Sequence, residues 1–229
     1  MLEDLKELVC AANRALPRYG LSSFSWGSAS GVDRAEGLVV IKPAEVAFDG
    51  MKPRDMVVVE LATGKKVEGE NGPATDTPTH LAMYRAWLDV GGIVHTHSRY
   101  ATAWAQANRP IPVLGTIHAD HFCGEIPCTR ALTVEEIRGD YEDATGRLIV
   151  ETLAGRDPMA VSAILVASHG SIVWNSTVVG AVRQAAVLEE IARMAYYTTT
   201  LAHDAPTAIS TSLLEKHDHR KHGAGVYAG

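Results

Sequence analysis

No apolar run in the chain approaches the roughly 20 residues that a membrane-spanning helix requires, so no membrane partner is expected. Positive charge is not in excess either: 27 acidic residues against 21 Lys and Arg leave a formal net charge of -6. A phosphate backbone demands a basic face, so nucleic acid is excluded as an expected partner. Cysteine is scarce, and its three copies are an odd number, which argues against a closed disulfide framework. Cys123 and Cys128 lie close in sequence but lack the partner cysteines of a zinc site. Buried free thiols in a reducing cytoplasm are expected instead. The opening Met1-Leu-Glu-Asp-Leu carries acids and no long apolar stretch, unlike a secretory signal, so the expected compartment is cytoplasmic. Repeats, low-complexity tracts and linkers are also missing, and residues 1–229 read as a single domain.

What is present is an alternation of helical and strand patterns. Leu2, Leu5, Val9, Ala12 and Leu16 recur at helical spacing. Leu38 to Ile41 and Met56 to Glu60 read as strands rich in β-branched residues, and Thr63-Gly64 follows as a hairpin turn. Thr77 with Pro78 predicts a helix N-cap and first turn, with Leu81, Tyr84 and Leu88 on one apolar face, stopped at Gly91-Gly92. Ile93 to His97 predicts a strand, and Ser98 opens a helix through Ala107. Thr133 and Glu136 form a capping-box pattern. Leu148 to Leu153 fits strand or helix equally, because its periodicity does not decide. Ala163 to Ala167 predicts a buried strand, Val178 to Leu201 the longest helix, and Leu213 to His222 a last one.

The chemistry concentrates in a few places. In Gly91-Gly-Ile-Val-His-Thr-His-Ser98 a strand puts His95 and His97 on one face. Such a pair serves a metal ion, though histidines hydrogen-bonded within a core share the pattern. His169 ends the buried run Ile164 to Ala167, and Gly170 beside it allows a sharp turn. Three neutral imidazoles bind zinc and leave a coordination position open. Asp76, ahead of Thr77-Pro78, suits helix capping and catalysis about equally. Asp120, in His118-Ala-Asp-His121, suits a proton carrier or a loop cap. The stretch Lys216 to His222 reads as a solvated, mostly basic helix face.

Four blocks together carry a resemblance: Asp76-Thr-Pro-Thr-His80, Gly91 to Ser98, Gly124-Glu-Ile-Pro-Cys-Thr-Arg130 and Ser168-His-Gly170. Over nearly its whole length the chain resembles the L-ribulose-5-phosphate 4-epimerases of the class II aldolase/adducin-like family. The resemblance implies a three-layer α/β/α fold around a mostly antiparallel sheet. It also implies a homotetramer whose active sites lie between subunits. One Zn2+ per subunit would sit on His95, His97 and His169, with Asp76 beside it as ligand or base; Mn2+ or Co2+ would also fit such a site. Asp120 would act as acid/base in a neighbouring subunit. The implied reaction is epimerisation at C4 of a ketopentose phosphate, L-ribulose 5-phosphate to D-xylulose 5-phosphate, through retro-aldol and aldol steps. Two alternatives stand beside it: an aldolase that releases the aldehyde fragment, and a metal-free, adducin-like interaction module.

The chain departs from the family pattern at its substrate end. By resemblance Gly27, Ser28, Lys42, Ala44, Glu45, Ala74 and Thr75 line the phosphate subsite. Ser28 replaces an asparagine, Ala44 and Glu45 replace a serine and a glycine, and Ala74 replaces a serine. The family's second C-terminal tyrosine falls on Ala228, leaving Tyr227 as the candidate catalytic tyrosine. These changes predict altered specificity, toward an unphosphorylated ketose.

Overall fold

The computed structural model describes residues 2–44, 46–203 and 205–222, without the side chains of the last five. Glu45, Tyr227 and Ala228 lie outside the described residues. Among the described residues seven strands form one sheet: β1 (Ser28–Asp33), β2 (Leu38–Ile41), β3 (Val57–Glu60), β4 (Lys66–Glu68), β5 (Gly92–Thr96), β6 (Ala163–Val166) and β7 (Gly170–Asn175). Their order is β4-β3-β2-β1-β5-β7-β6, and every neighbouring pair is antiparallel.

Apart from the edge strand β4, the strands are buried on both faces, so each face must be covered. Val40, Val58, Val94, Val173 and Leu165 pack against α1 (Glu3–Arg18), α3 (Arg99–Gln106) and α8 (Val178–Leu201). The alternate residues Val39, Val57, Ile93, Ile172 and Ile164 pack against α2 (Thr77–Ala86) and α6 (Tyr141–Thr152). The result is the three-layer α/β/α arrangement expected from the sequence. Short helices α4 (Thr116–Ala119), α5 (Val134–Arg138) and α7 (Pro158–Val161) punctuate the connections, and α9 (Thr211–His222) packs on α4. No helix among the described residues is long and apolar enough to cross a membrane.

Local differences from the sequence reading have physical causes. The segment from Leu148 to Thr152 is helical and Leu153 is its C-cap, because Asp140 accepts from the Asp143 backbone N–H and opens α6 with Glu142 and Asp143 in its first turn. The N-cap of α2 is Asp76, one residue before the expected Thr77. That helix stops at Ala86, so Leu88 falls off its apolar face and is 74% exposed. Cys10 is buried as expected, whereas Cys123 is exposed.

Candidate metal centre

The centre forms where β5, the β6–β7 turn, and the first turns of α2 and α6 meet. The register across three strands places Ser28 opposite His95, and His95 opposite Ile172. His95 therefore lies on the α2/α6 side, two residues beyond Ile93. His169 lies in the tight turn between β6 and β7, where Ser168 takes the left-handed conformation at φ 61. The glycine that follows is required by crowding rather than by its torsion angles. A Cβ at Gly170 would lie 2.7 Å from the Thr96 carbonyl oxygen.

His95, His97 and His169 converge, with ring centroids 4.8–4.9 Å apart in each pair. One nitrogen from each lies within 4.8 Å of the others. The Nε2 atoms of His95 and His169 face each other at 3.1 Å. Two nitrogens on a tetrahedral zinc ion, each about 2.0–2.1 Å from it, stand about 3.3 Å apart. Hydrogen bonds at the far side of each ring favour that use. His95 Nδ1 donates to the Ser171 carbonyl oxygen at 3.0 Å, which leaves its Nε2 with a lone pair. His169 Nδ1 meets the Tyr141 hydroxyl at 2.7 Å. With Nδ1 donating there, a second lone pair faces the first. In that tautomer the two lone pairs have the separation that a shared divalent ion requires, so the residues fit such a metal; in the other, His169 Nε2 donates to His95 Nε2.

Electrostatics agree. Burial, with smaller contributions from neighbouring imidazoles, pushes His95 and His169 down to about 4, and it also lowers His97. Burial thus disfavours the charged form of all three rings, the form that could not ligate a metal. Exposure rises from buried His95 through His169 to exposed His97, so the centre opens to solvent on the His97 side. Trp26 flanks that opening, edge-on to His97 with ring centroids 6.5 Å apart.

Asp76 joins the same cavity, which has a volume of about 340 Å³. Although Asp76 occupies the N-cap position of α2, its side chain makes no capping bond. It accepts a hydrogen bond from Ser28 Oγ at 2.7 Å and lies 3.4 Å from His80 Nε2. Burial alone would raise its carboxyl, but His80, His95 and the Ser28 hydroxyl outweigh burial and hold it below the usual carboxylate range. Gly27, Lys42, Ala44, Ala74 and Thr75 line this cavity too. Ser28 does not. Its side chain is 1% exposed and is committed to Asp76. Lys42 is 2% exposed, donates to the Pro43 carbonyl at 3.2 Å and lies over the Phe48 ring. Burial lowers its ammonium pKa, partly offset by Asp76.

Asp120 is not among the residues lining the cavity. It closes α4, and its Oδ1 lies 2.8 Å from His217 Nδ1 on α9. His217 is thus held by a carboxylate, in contrast to the fully solvated face expected for this stretch. Sequence reasoning missed Tyr141, Glu142, Thr79 and Thr145, all of which line the cavity. The available signal was Asp140 followed by Glu142 and Asp143, a helix-start pattern that would have placed Tyr141 in a first turn. A larger surface hollow, about 700 Å³, is lined by α1 residues and by Arg34, Leu88 and Asp89. The cluster of metal-ligating type found among the described residues lies in the smaller cavity.

Residues 7–196 match the family described as Class II Aldolase and Adducin N-terminal domain. Among solved structures, an L-fuculose 1-phosphate aldolase is similar with a TM-score of 0.77 at 23% identity, over 94% of this chain and 95% of that one. YgbL from Klebsiella pneumoniae is similar with a TM-score of 0.74 at 24% identity, over 94% and 99%. The L-fuculose-1-phosphate aldolase of Thermus thermophilus is similar with a TM-score of 0.67 at 20% identity, over 89% and 98%. At these identities the likeness establishes the fold, and the match over residues 7–196 adds the family. The chain belongs to the class II aldolase and adducin N-terminal domain family.

Proposed function

We infer that this chain is a divalent-metal enzyme that breaks the C3–C4 bond of a small ketose or ketose phosphate and, as a 4-epimerase, re-forms it with inversion at C4. The carrying observation is the convergence of His95, His97 and His169, with two of the rings anchored at Nδ1 by Ser171 and Tyr141. A divalent ion held there, zinc by preference for three imidazoles, would supply Lewis-acid stabilisation of the charge that develops on the ketone fragment. The protein's own groups do the rest. Asp76, ionised and at the cavity wall, is placed to accept a proton or add a ligand oxygen. Lys42 offers a cation to an anionic or polar substrate end. In retro-aldol cleavage a base takes the C4 hydroxyl proton, and the electron pair of the C3–C4 bond moves toward the C2 carbonyl oxygen. Asp120 is proposed to serve a neighbouring subunit of a homotetramer as the acid/base, with Tyr227 as a further candidate.

The substrate end supports reduced reliance on phosphate. Ala44 and Ala74 bring no hydroxyl, and their backbone N–H groups already donate to Gly72 and Lys42 carbonyls. A buried phosphate oxygen without a donor is costly. Comparable kcat/KM for L-ribulose 5-phosphate and for free ketoses is therefore expected, and a large preference for the ester would overturn this part.

A second reading is an aldolase that releases the aldehyde. The pairing of a single Tyr227 with Ala228 favours it, because recapture on the second face then lacks the family's tyrosine. The experiment for both is metal analysis followed by turnover of L-ribulose 5-phosphate and L-fuculose 1-phosphate, with and without an aldehyde trap. Epimerisation without trapped aldehyde supports the first reading, and stoichiometric trapped aldehyde supports the second. Failure to find stoichiometric metal would remove both and leave the adducin-like interaction module.

A further inference from the structure

The proposed mechanism leaves unused a line of buried polar groups between α2 and β1. Ser30, His80 and Tyr84 are each 0% exposed, and Ser28 is 1% exposed. Tyr84 Oη lies 2.9 Å from Ser30 Oγ. Ser30 Oγ lies 2.7 Å from His80 Nδ1. His80 Nε2 lies 3.4 Å from Asp76 Oδ2, the oxygen that also accepts from Ser28.

For a neutral His80 ring, whose Nε2 also lies 3.5 Å from Ser28 Oγ, these contacts have one consistent direction. An ionised Asp76 only accepts, so His80 Nε2 must carry the ring hydrogen. Nδ1 then has a lone pair and must accept, so the Ser30 hydroxyl donates to it. With its hydrogen spent, Ser30 Oγ accepts from the Tyr84 hydroxyl. Each buried group is satisfied in this arrangement and left unsatisfied in the reverse one. Asp76 Oδ2 is thereby occupied by two partners. A free Asp at an N-cap would instead accept from backbone N–H groups of the first turn, and here it makes no such bond.

From this geometry we propose that Tyr84, Ser30 and His80 form a positioning relay that holds Asp76 off its helix cap, with Oδ2 anchored and Oδ1 turned to the metal cavity. The relay rests on the retro-aldol reading of the cavity for its use, but not for its existence. The three side chains are positioning residues, since Asp76 alone reaches the cavity. A network that only fastened α2 to the sheet would have no reason to end on a cavity carboxylate.

The test uses the metal-loaded protein and the variants His80→Gln, His80→Leu and Ser30→Ala. Long-range proton–nitrogen correlation of the wild type, with the His80 signal assigned by its loss in H80Q, reads the tautomer directly. The Nε2–H form is expected, and the Nδ1–H form overturns the relay. H80L is expected to keep full metal occupancy while kcat falls about 100-fold, the scale of a displaced catalytic group. H80Q, whose amide can donate near the Nε2 position, is expected to recover most of that loss. Wild-type kcat in H80L, or a loss that tracks metal content, overturns the proposal. If H80L does not fold, S30A takes its place: His80 Nδ1 loses its donor, so a lowered kcat at full metal occupancy supports the relay, and a wild-type kcat or a loss that tracks metal content refutes it. A wild type that binds metal yet turns over no ketose would refute the proposed reaction, while the tautomer would still decide the relay.

Discussion

His169 stands in a turn and takes its ring orientation from a hydroxyl on a different helix. Replacing Tyr141 with Phe removes the bond at His169 Nδ1 and frees the ring to rotate. Metal affinity is expected to fall about 10–100-fold, the usual scale for losing such a partner, with the fold retained. Competition with a chromogenic chelator measures it, and an unchanged affinity would mean that the turn alone sets the ring. Alanine at His95, His97 or His169 is expected to abolish both bound metal and turnover, as elemental analysis and assay would record. At this scale the three histidines that converge were legible in the sequence. His95 and His97 share a strand face, and Ser168-His-Gly170 follows a buried run. It did not disclose Tyr141, which is 28 residues from its partner and meets it only through packing. Nor did it disclose Ser28. The resemblance set it in the phosphate subsite, whereas the fold turns its hydroxyl inward to Asp76.

Two helices bring the carboxylate and the tyrosine to the same cavity, and their closeness depends on one residue. A Cβ at Gly146 in α6 would lie 2.6 Å from the Ala82 Cβ and 2.9 Å from the Thr79 carbonyl oxygen of α2. Gly146→Ala is therefore expected to push α6 away and to lower stability by about 1–3 kcal/mol, as overpacking does. Thermal unfolding would show it, and a stability equal to wild type would mean that the helices separate without cost. Elements with long, regular patterns were legible in the sequence. The bounds of α8 agree with the periodicity, and β6 agrees with its apolar run to within a residue. Elements set by capping were less so. Asp76 gave the α2 cap position but not the side-chain bond of a cap, so its residue type alone was a poor guide. Leu148 to Leu153 was undecided because the Asp140 cap that opens its helix lies well upstream of it, outside the stretch whose periodicity was read.

The whole molecule couples this centre to acid stability. Burial, partly offset by a bond to the Gly124 carbonyl, pushes His118 down to about 4, and His95 and His169 lie at about 4 as well. An unfolded histidine titrates near 6.5. Between about 6.5 and about 4 the unfolded chain therefore binds more protons than the folded one, and stability must fall as pH falls through that window. Each unit of depression corresponds to about 1.4 kcal/mol. Urea unfolding of metal-free protein at pH 7.5 and pH 5 is expected to show the lower midpoint at pH 5. Added zinc should raise both midpoints and widen the gap, since protons compete with the metal for the same nitrogens and weaken its stabilisation at pH 5. Equal midpoints would mean that these histidines are solvated. The strand pairing carries a further consequence. His95 faces α2 and α6 only because Ser28 and Ile172 sit opposite it. A slide of β5 by one residue would turn His95 toward α8 and offer the ion Val94 instead. Cation uptake is thus a proofreader of strand alignment: a chain assembled one step out of register would reveal itself by an empty chelation site.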